Sequence, residues 1–149
     1  MLVYGVVHLQ SLPGSPSNRI SLDEIIDLAQ EDVNNLIFGG VDGIIIENFG
    51  DTPFVKDDIS KRTLASFTTV VENLSIEKDI KVGINVLRND GIAALSIISF
   101  AHVNQPNLSF GLIRKVHKSE LTSFLGYFLQ SQFFSSLDSS KIFLSGIFG

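Results

Sequence analysis

Two periods of apolar and polar positions divide the first hundred residues. Residues 2–9 (LVYGVVHL), 41–47 (VDGIIIE) and 80–87 (IKVGINVL) are short apolar runs rich in β-branched residues and bounded by turn signals, and each predicts a strand. Runs of this kind read as strands buried on both faces, as in parallel sheets. Between them the spacing lengthens to three and four. Leu22, Ile25, Ile26, Ala29, Val33, Leu36 and Ile37 form one helical stripe, with Asp23, Glu24, Asp27, Glu31 and Asp32 in the first turn or on the other side. Ser21 with Glu24 has the capping-box spacing, Ile20 and Ile25 suit the hydrophobic staple, and Gly39 or Gly40 supplies the left-handed stop. Ser60 or Asp58 caps a second helix that buries Leu64, Phe67, Val71 and Leu74. Asn89 or Asp90 caps a third, over residues 91–101. The order βαβαβα predicts an α/β fold with parallel pairing and right-handed crossovers. Ligands of such sheets sit beyond the carboxyl ends of the strands.

The pattern stops near residue 100. Residues 1–100 carry 14 acids and 7 bases, a net of −7, whereas residues 101–149 carry 2 acids and 4 bases, a net of +2. Seven of the 12 phenylalanines fall in residues 110–148, among many serines. The division predicted is therefore a domain over 1–100 and a tail over 101–149, helical or disordered. Leu121, Phe124, Leu125, Phe128, Leu129 and Phe133 share one helical face, which predicts a helix over about 118–134. Residues 121–137 are uncharged, but too short and too rich in Ser, Thr and Gln for a membrane span.

With 149 residues the chain can bury one real core, and 44% hydrophobic content marks it as globular. A net charge of −5 argues against nucleic-acid binding by phosphate neutralisation and fits a small-molecule or protein partner. The absence of cysteine excludes disulfides, thiolate catalysis and cysteine metal sites. No basic, apolar leader with a cleavage site precedes the first strand, so a cytoplasmic location is expected.

Candidate chemistry gathers at the predicted strand ends. His8 closes the first strand and serves either as an acid–base or ligand group or as a hydrogen-bonded rim histidine. Glu47 ends a run of three isoleucines, where a carboxylate must be paired or solvated at a pocket mouth, and burial would bring it into general-base range. Asn48 and Asp51 either contact a ligand or satisfy loop backbone. Asn85 is a polar residue in an apolar strand and points to the same mouth. Arg88 would bind phosphate or carboxylate, or instead pair with Glu47 or Asp51. Asn89 is a candidate ligand group but, like Asp90, fits a helix cap better. His8, Glu47, Asp51 and Asp90 contain metal-ligand types, yet no spacing supports a metal site, and no motif names a cofactor.

Three stretches carry a resemblance. His8-Leu9 with Leu12-Pro13-Gly14-Ser15-Pro16, then Gly40-Val41-Asp42-Gly43-Ile44-Ile45-Ile46-Glu47-Asn48-Phe49-Gly50-Asp51 with Pro53-Phe54, and Asn85-Val86-Leu87-Arg88-Asn89-Asp90-Gly91 with Ala93-Ala94 resemble the signature of the BtpA family. The likeness covers roughly residues 3–98. It implies a TIM-type (β/α)8 barrel of the kind that binds phosphorylated or aromatic ligands, present here as about three βα units. The family's named member is a cyanobacterial protein needed for photosystem I reaction-centre proteins to accumulate, held peripherally at thylakoid membranes. The resemblance thus implies a photosystem I biogenesis or stability factor with a barrel-mouth pocket around His8, Glu47, Asn48, Asp51, Asn85 and Arg88. Peripheral thylakoid attachment follows if the source is photosynthetic. The alternative is an enzyme acting on a small phosphorylated or nucleoside-like substrate, with Glu47 as base and Arg88 holding the anion. The family's fourth strand is replaced here by Ala101-His102-Val103-Asn104-Gln105-Pro106. The shift to Phe- and Ser-rich sequence is what a frameshift or unspliced intron gives in AT-rich DNA, which implies a third reading, an inactive truncated product. Three units leave a barrel open, so the tail or a second copy of the chain would have to cover the third strand's edge.

Overall fold

Serine hydroxyls start two of the three helices. In the computed structural model, which describes residues 2–77 and 79–101, Ser21 Oγ accepts the Glu24 N–H at 3.2 Å and Ser60 Oγ accepts the Thr63 N–H at 3.0 Å. The order is β1 (Tyr4–His8), α1 (Leu22–Phe38), β2 (Gly43–Glu47), α2 (Lys61–Asn73), β3 (Lys81–Asn85) and α3 (Gly91–Ala101). Gly39 keeps a right-handed backbone, and Gly40, at φ +80°, makes the left-handed turn that ends α1. Asp90 caps α3, its Oδ1 accepting the Ala93 N–H at 2.9 Å. The predicted helix over about 118–134 and the rest of the tail lie outside the described residues.

The sheet is parallel throughout, in the order β1-β2-β3. The βαβ connections return each strand beside its predecessor, as expected of this element order. Because side chains alternate across a strand, every second residue meets the helices. Val7, Ile44, Ile46, Val82 and Ile84 are 0–2% exposed and pack toward a layer in which α2 touches both α1 and α3. Ile25, Ala29 and Val33 of α1, Phe67, Val70 and Val71 of α2, and Ala94, Ile97 and Ile98 of α3 complete this core. Fully burying one such aliphatic or aromatic side chain contributes about 1.5–3 kcal/mol, and this layer holds the fold together.

The opposite face differs from expectation. The apolar runs predict strands covered on both sides, but Tyr4 and Val6 are 45% and 44% exposed, and Ile45 between the flanking strands is half-buried. Among the described residues no helix packs on that face. The architecture is therefore a two-layer α/β unit with three parallel strands, compatible with part of a βα repeat.

Candidate functional site

Strand register assembles the central group. His8 pairs with Glu47 across β1–β2, and Glu47 pairs with Asn85 across β2–β3, so one row crosses the last position of all three strands. Residues in register on parallel strands project to the same side. This row lies on the helix-free face, with Tyr4 and Val6 two and one pleats below it. His8 Nε2 lies 2.9 Å from Glu47 Oε1, and Asn85 Nδ2 donates to Glu47 Oε2 at 2.8 Å. The Glu47 side chain is 14% exposed and that of His8 52%, so the carboxylate is sheltered beneath an accessible imidazole. A carboxylate with both oxygens engaged is held in one orientation, and in turn it selects the nitrogen of His8 that carries the proton. In the neutral imidazole Nδ1 is then left as the acceptor.

An aromatic strip flanks the row. The Phe49 ring stacks on His8 with centroids 4.5 Å apart and planes 17° from parallel, and Phe54 lies 6.2 Å from Phe49 at 58°. Both phenylalanines fall in the stretch that carries the family resemblance, but the sequence alone indicates no role for them. The signal available was Phe49's place two residues after a strand-ending acid.

Asn48 and Asp51 sit under the rim and hold the loops. Asn48 is wholly buried, donating Nδ2 to Asp51 Oδ2 at 2.9 Å and to the Leu87 carbonyl at 3.2 Å, and accepting the Leu87 N–H on Oδ1 at 2.7 Å. Asp51 Oδ1 accepts the Leu12 N–H at 2.7 Å. Burial pushes the Asp51 carboxyl above its ordinary value, with the Asn48 and Leu12 hydrogen bonds opposing the rise. Gly50 presses on the loop after β1: a Cβ there would lie 2.7 Å from the Gln10 carbonyl carbon and from the Leu9 oxygen, and would also strike Ser11 N. These contacts tie the ends of β1, β2 and β3 into one rigid rim.

Arg88 and Asn89 lie beyond β3. Arg88 is exposed, and among the described residues it pairs with neither Glu47 nor Asp51. The pairing expected as its alternative role is taken by His8, because register sets His8 directly beside Glu47 whereas Arg88 lies past the strand. Its backbone anchors the 53–57 loop, donating to the Val55 carbonyl at 3.3 Å and accepting from the Asp57 N–H at 3.0 Å. Asn89 is exposed at φ +71°, and the cap of α3 falls to Asp90, whose Oδ2 also accepts the Ile59 N–H at 2.9 Å. Among the described residues no three His, Asp or Glu side chains gather in a way that could hold a metal ion. No described helix is long and apolar enough to cross a membrane.

Residues 2–105 match the model of the BtpA family. An uncharacterized protein of Pyrococcus abyssi is 52% identical over 93 residues, 62% of this chain and 36% of that protein. An uncharacterized protein of Archaeoglobus fulgidus is 44% identical over 108 residues, 69% of this chain and 43% of its own length. The photosystem I biogenesis protein BtpA of Synechocystis is 44% identical over 97 residues, 65% of this chain and 34% of its own length. The chain thus spans well under half the length of these relatives. No solved structure matches it.

Proposed function

The chain belongs to the BtpA family, and from that premise we propose that its strand ends form a small-ligand site in which His8 is the acid–base group. Glu47 orients His8, Asn85 fixes Glu47, and Arg88 meets the anionic, phosphorylated part of the ligand. The observation that carries this reading is the engagement of both Glu47 oxygens, by His8 Nε2 and Asn85 Nδ2. This reading makes His8 the base in place of Glu47, the group expected in that role. With Nε2–H turned to the carboxylate, the Nδ1 lone pair is the group able to take a proton, the division of labour seen where an acid orients a catalytic histidine. Asn48, Asp51 and Asp90 act as supports, since their polar atoms are bound to backbone or to one another. Arg88, exposed and paired with no carboxylate among the described residues, suits a phosphate.

The parallel 1-2-3 order and the uncovered face support a further step, that these units are the opening part of a (β/α)8 barrel whose interior that face would line. The site would then lie at the barrel mouth. Titration of the chain with ribose 5-phosphate, followed through the His8 ring signals, tests the reading. Saturable shifts abolished by Arg88→Ala are expected, and shifts unaffected by that substitution would refute it.

A second reading, a part in photosystem I biogenesis, is favoured by the 44% identity to the Synechocystis protein of that name, and peripheral membrane attachment would go with that role. It is tested by replacing the matched segment of that protein with the matched segment of this chain. Restored photosystem I by both the chimera and its Glu47→Gln form supports assembly without acid–base chemistry. Restoration only when Glu47 is intact supports the chemistry.

A further inference from the structure

We infer that the ligand of this site carries a planar heteroaromatic ring with N–H donors along one edge, seated against Phe49 and His8. This deepens the preceding reading and rests on it. Phe49 is 50% exposed although both neighbours in sequence are fixed, Asn48 by three hydrogen bonds and Gly50 by contact with the loop after β1. Its exposure is therefore imposed by the rim. Phe38 and Phe100 are more exposed, at 95% and 61%, but neither joins a ring contact among the described residues. Among the described residues Phe49 alone is stacked on a polar ring and flanked by a second phenylalanine, which makes an aromatic strip that stays half exposed.

The polar edge beside the strip is made of acceptors. Among the described residues each Glu47 oxygen takes one protein donor and has a lone pair to spare, Asn85 Oδ1 takes no protein donor, and Nδ1 of a neutral His8 is an acceptor. A ligand edge that matches these acceptors presents N–H or O–H donors. A sugar can lay a C–H face on a phenylalanine, but its hydroxyl donors are spread around a puckered ring, whereas an amino-substituted heterocycle carries N–H donors in the plane of the ring that stacks. The strip also leads toward the Arg88 backbone. Phe54 adjoins Val55, whose carbonyl accepts the Arg88 N–H at 3.3 Å. A ring on Phe49 and a phosphate at Arg88 are the two ends of a nucleotide-like molecule.

The test compares guanosine monophosphate, whose base carries N1–H and N2–H2 donors on one edge, with ribose 5-phosphate on the full chain by calorimetry. Base–aromatic stacking of this kind strengthens binding about tenfold. The nucleotide is expected to bind about tenfold more tightly, Phe49→Leu to remove that advantage without changing ribose 5-phosphate binding, and Phe49→Tyr to keep it. Equal affinity for the two probes, or a Phe49→Leu chain that still prefers the nucleotide, would overturn the ring while leaving the anion site standing. Binding of neither probe would overturn both readings.

Discussion

Replacing Asn48 with alanine tests the rim most severely, because one amide joins two loops. The substitution removes three hydrogen bonds, of 2.7, 2.9 and 3.2 Å, from a residue that is 0% exposed. It strands the Leu87 N–H and takes a donor from the buried Asp51 carboxylate. A buried polar group left without its partner costs about 1–3 kcal/mol. Two such groups, with the small cavity left behind, put the expected loss at about 2–4 kcal/mol, a large share of the roughly 5–15 kcal/mol that holds a typical domain folded. Asn48→Asp sharpens the prediction. It sets a second carboxylate at hydrogen-bonding distance from Asp51, so the variant should be worse than alanine at neutral pH and recover as pH falls and one acid takes up a proton. Urea unfolding followed by far-ultraviolet circular dichroism measures both. An Asn48→Ala midpoint corresponding to a loss below about 0.5 kcal/mol, less than one ordinary hydrogen bond, would refute the reasoning.

Asp51 gives a pH signature of its own. Burial raises its carboxyl above the ordinary 3.8, so above that value the folded chain holds the proton more tightly than the unfolded chain does. The stability this group contributes is present below pH 3.8 and is lost as pH rises through the raised value. Wild-type midpoints should therefore fall across that window relative to Asp51→Asn, and parallel curves would sink the assignment. Gly50→Ala forces a Cβ onto the Leu9–Ser11 backbone, which cannot swing away as a side chain could. A loss of about 1–3 kcal/mol is expected in the same melt, and a neutral result would mean that the two loops do not meet as described.

The local grammar of the chain was readable because it depends on neighbours in sequence. Ser21, Ser60 and Asp90 cap the helices at the positions their spacing indicates, and Gly40 stops α1. The polar residues that close the strands were identifiable for the same reason. What remained hidden depends on register. Nothing within one strand tells that His8, Glu47 and Asn85 occupy the same row, yet a slip of one residue would send Glu47 to the helix face. The sequence offers Arg88 as a partner for Glu47, and only the alignment of the strands puts His8 there instead. Asn48 and Glu47 are adjacent polar residues, and the alternation of the strand end buries the first and leaves the second at the rim. The uncovered face was the hardest to anticipate, since Val6 and Ile45 carry the same apolar character as residues buried under helices.

The measurement that bears most directly on the site is the tautomer of His8. Long-range nitrogen–proton correlation on nitrogen-15-labelled chain, with the His8 signals assigned through a His8→Gln variant, reports which ring nitrogen holds the proton. The account predicts that neutral His8 is protonated on Nε2, 2.9 Å from Glu47 Oε1, and that Glu47→Gln lets the proton redistribute. A proton resident on Nδ1, or a tautomer indifferent to Glu47→Gln, would contradict it.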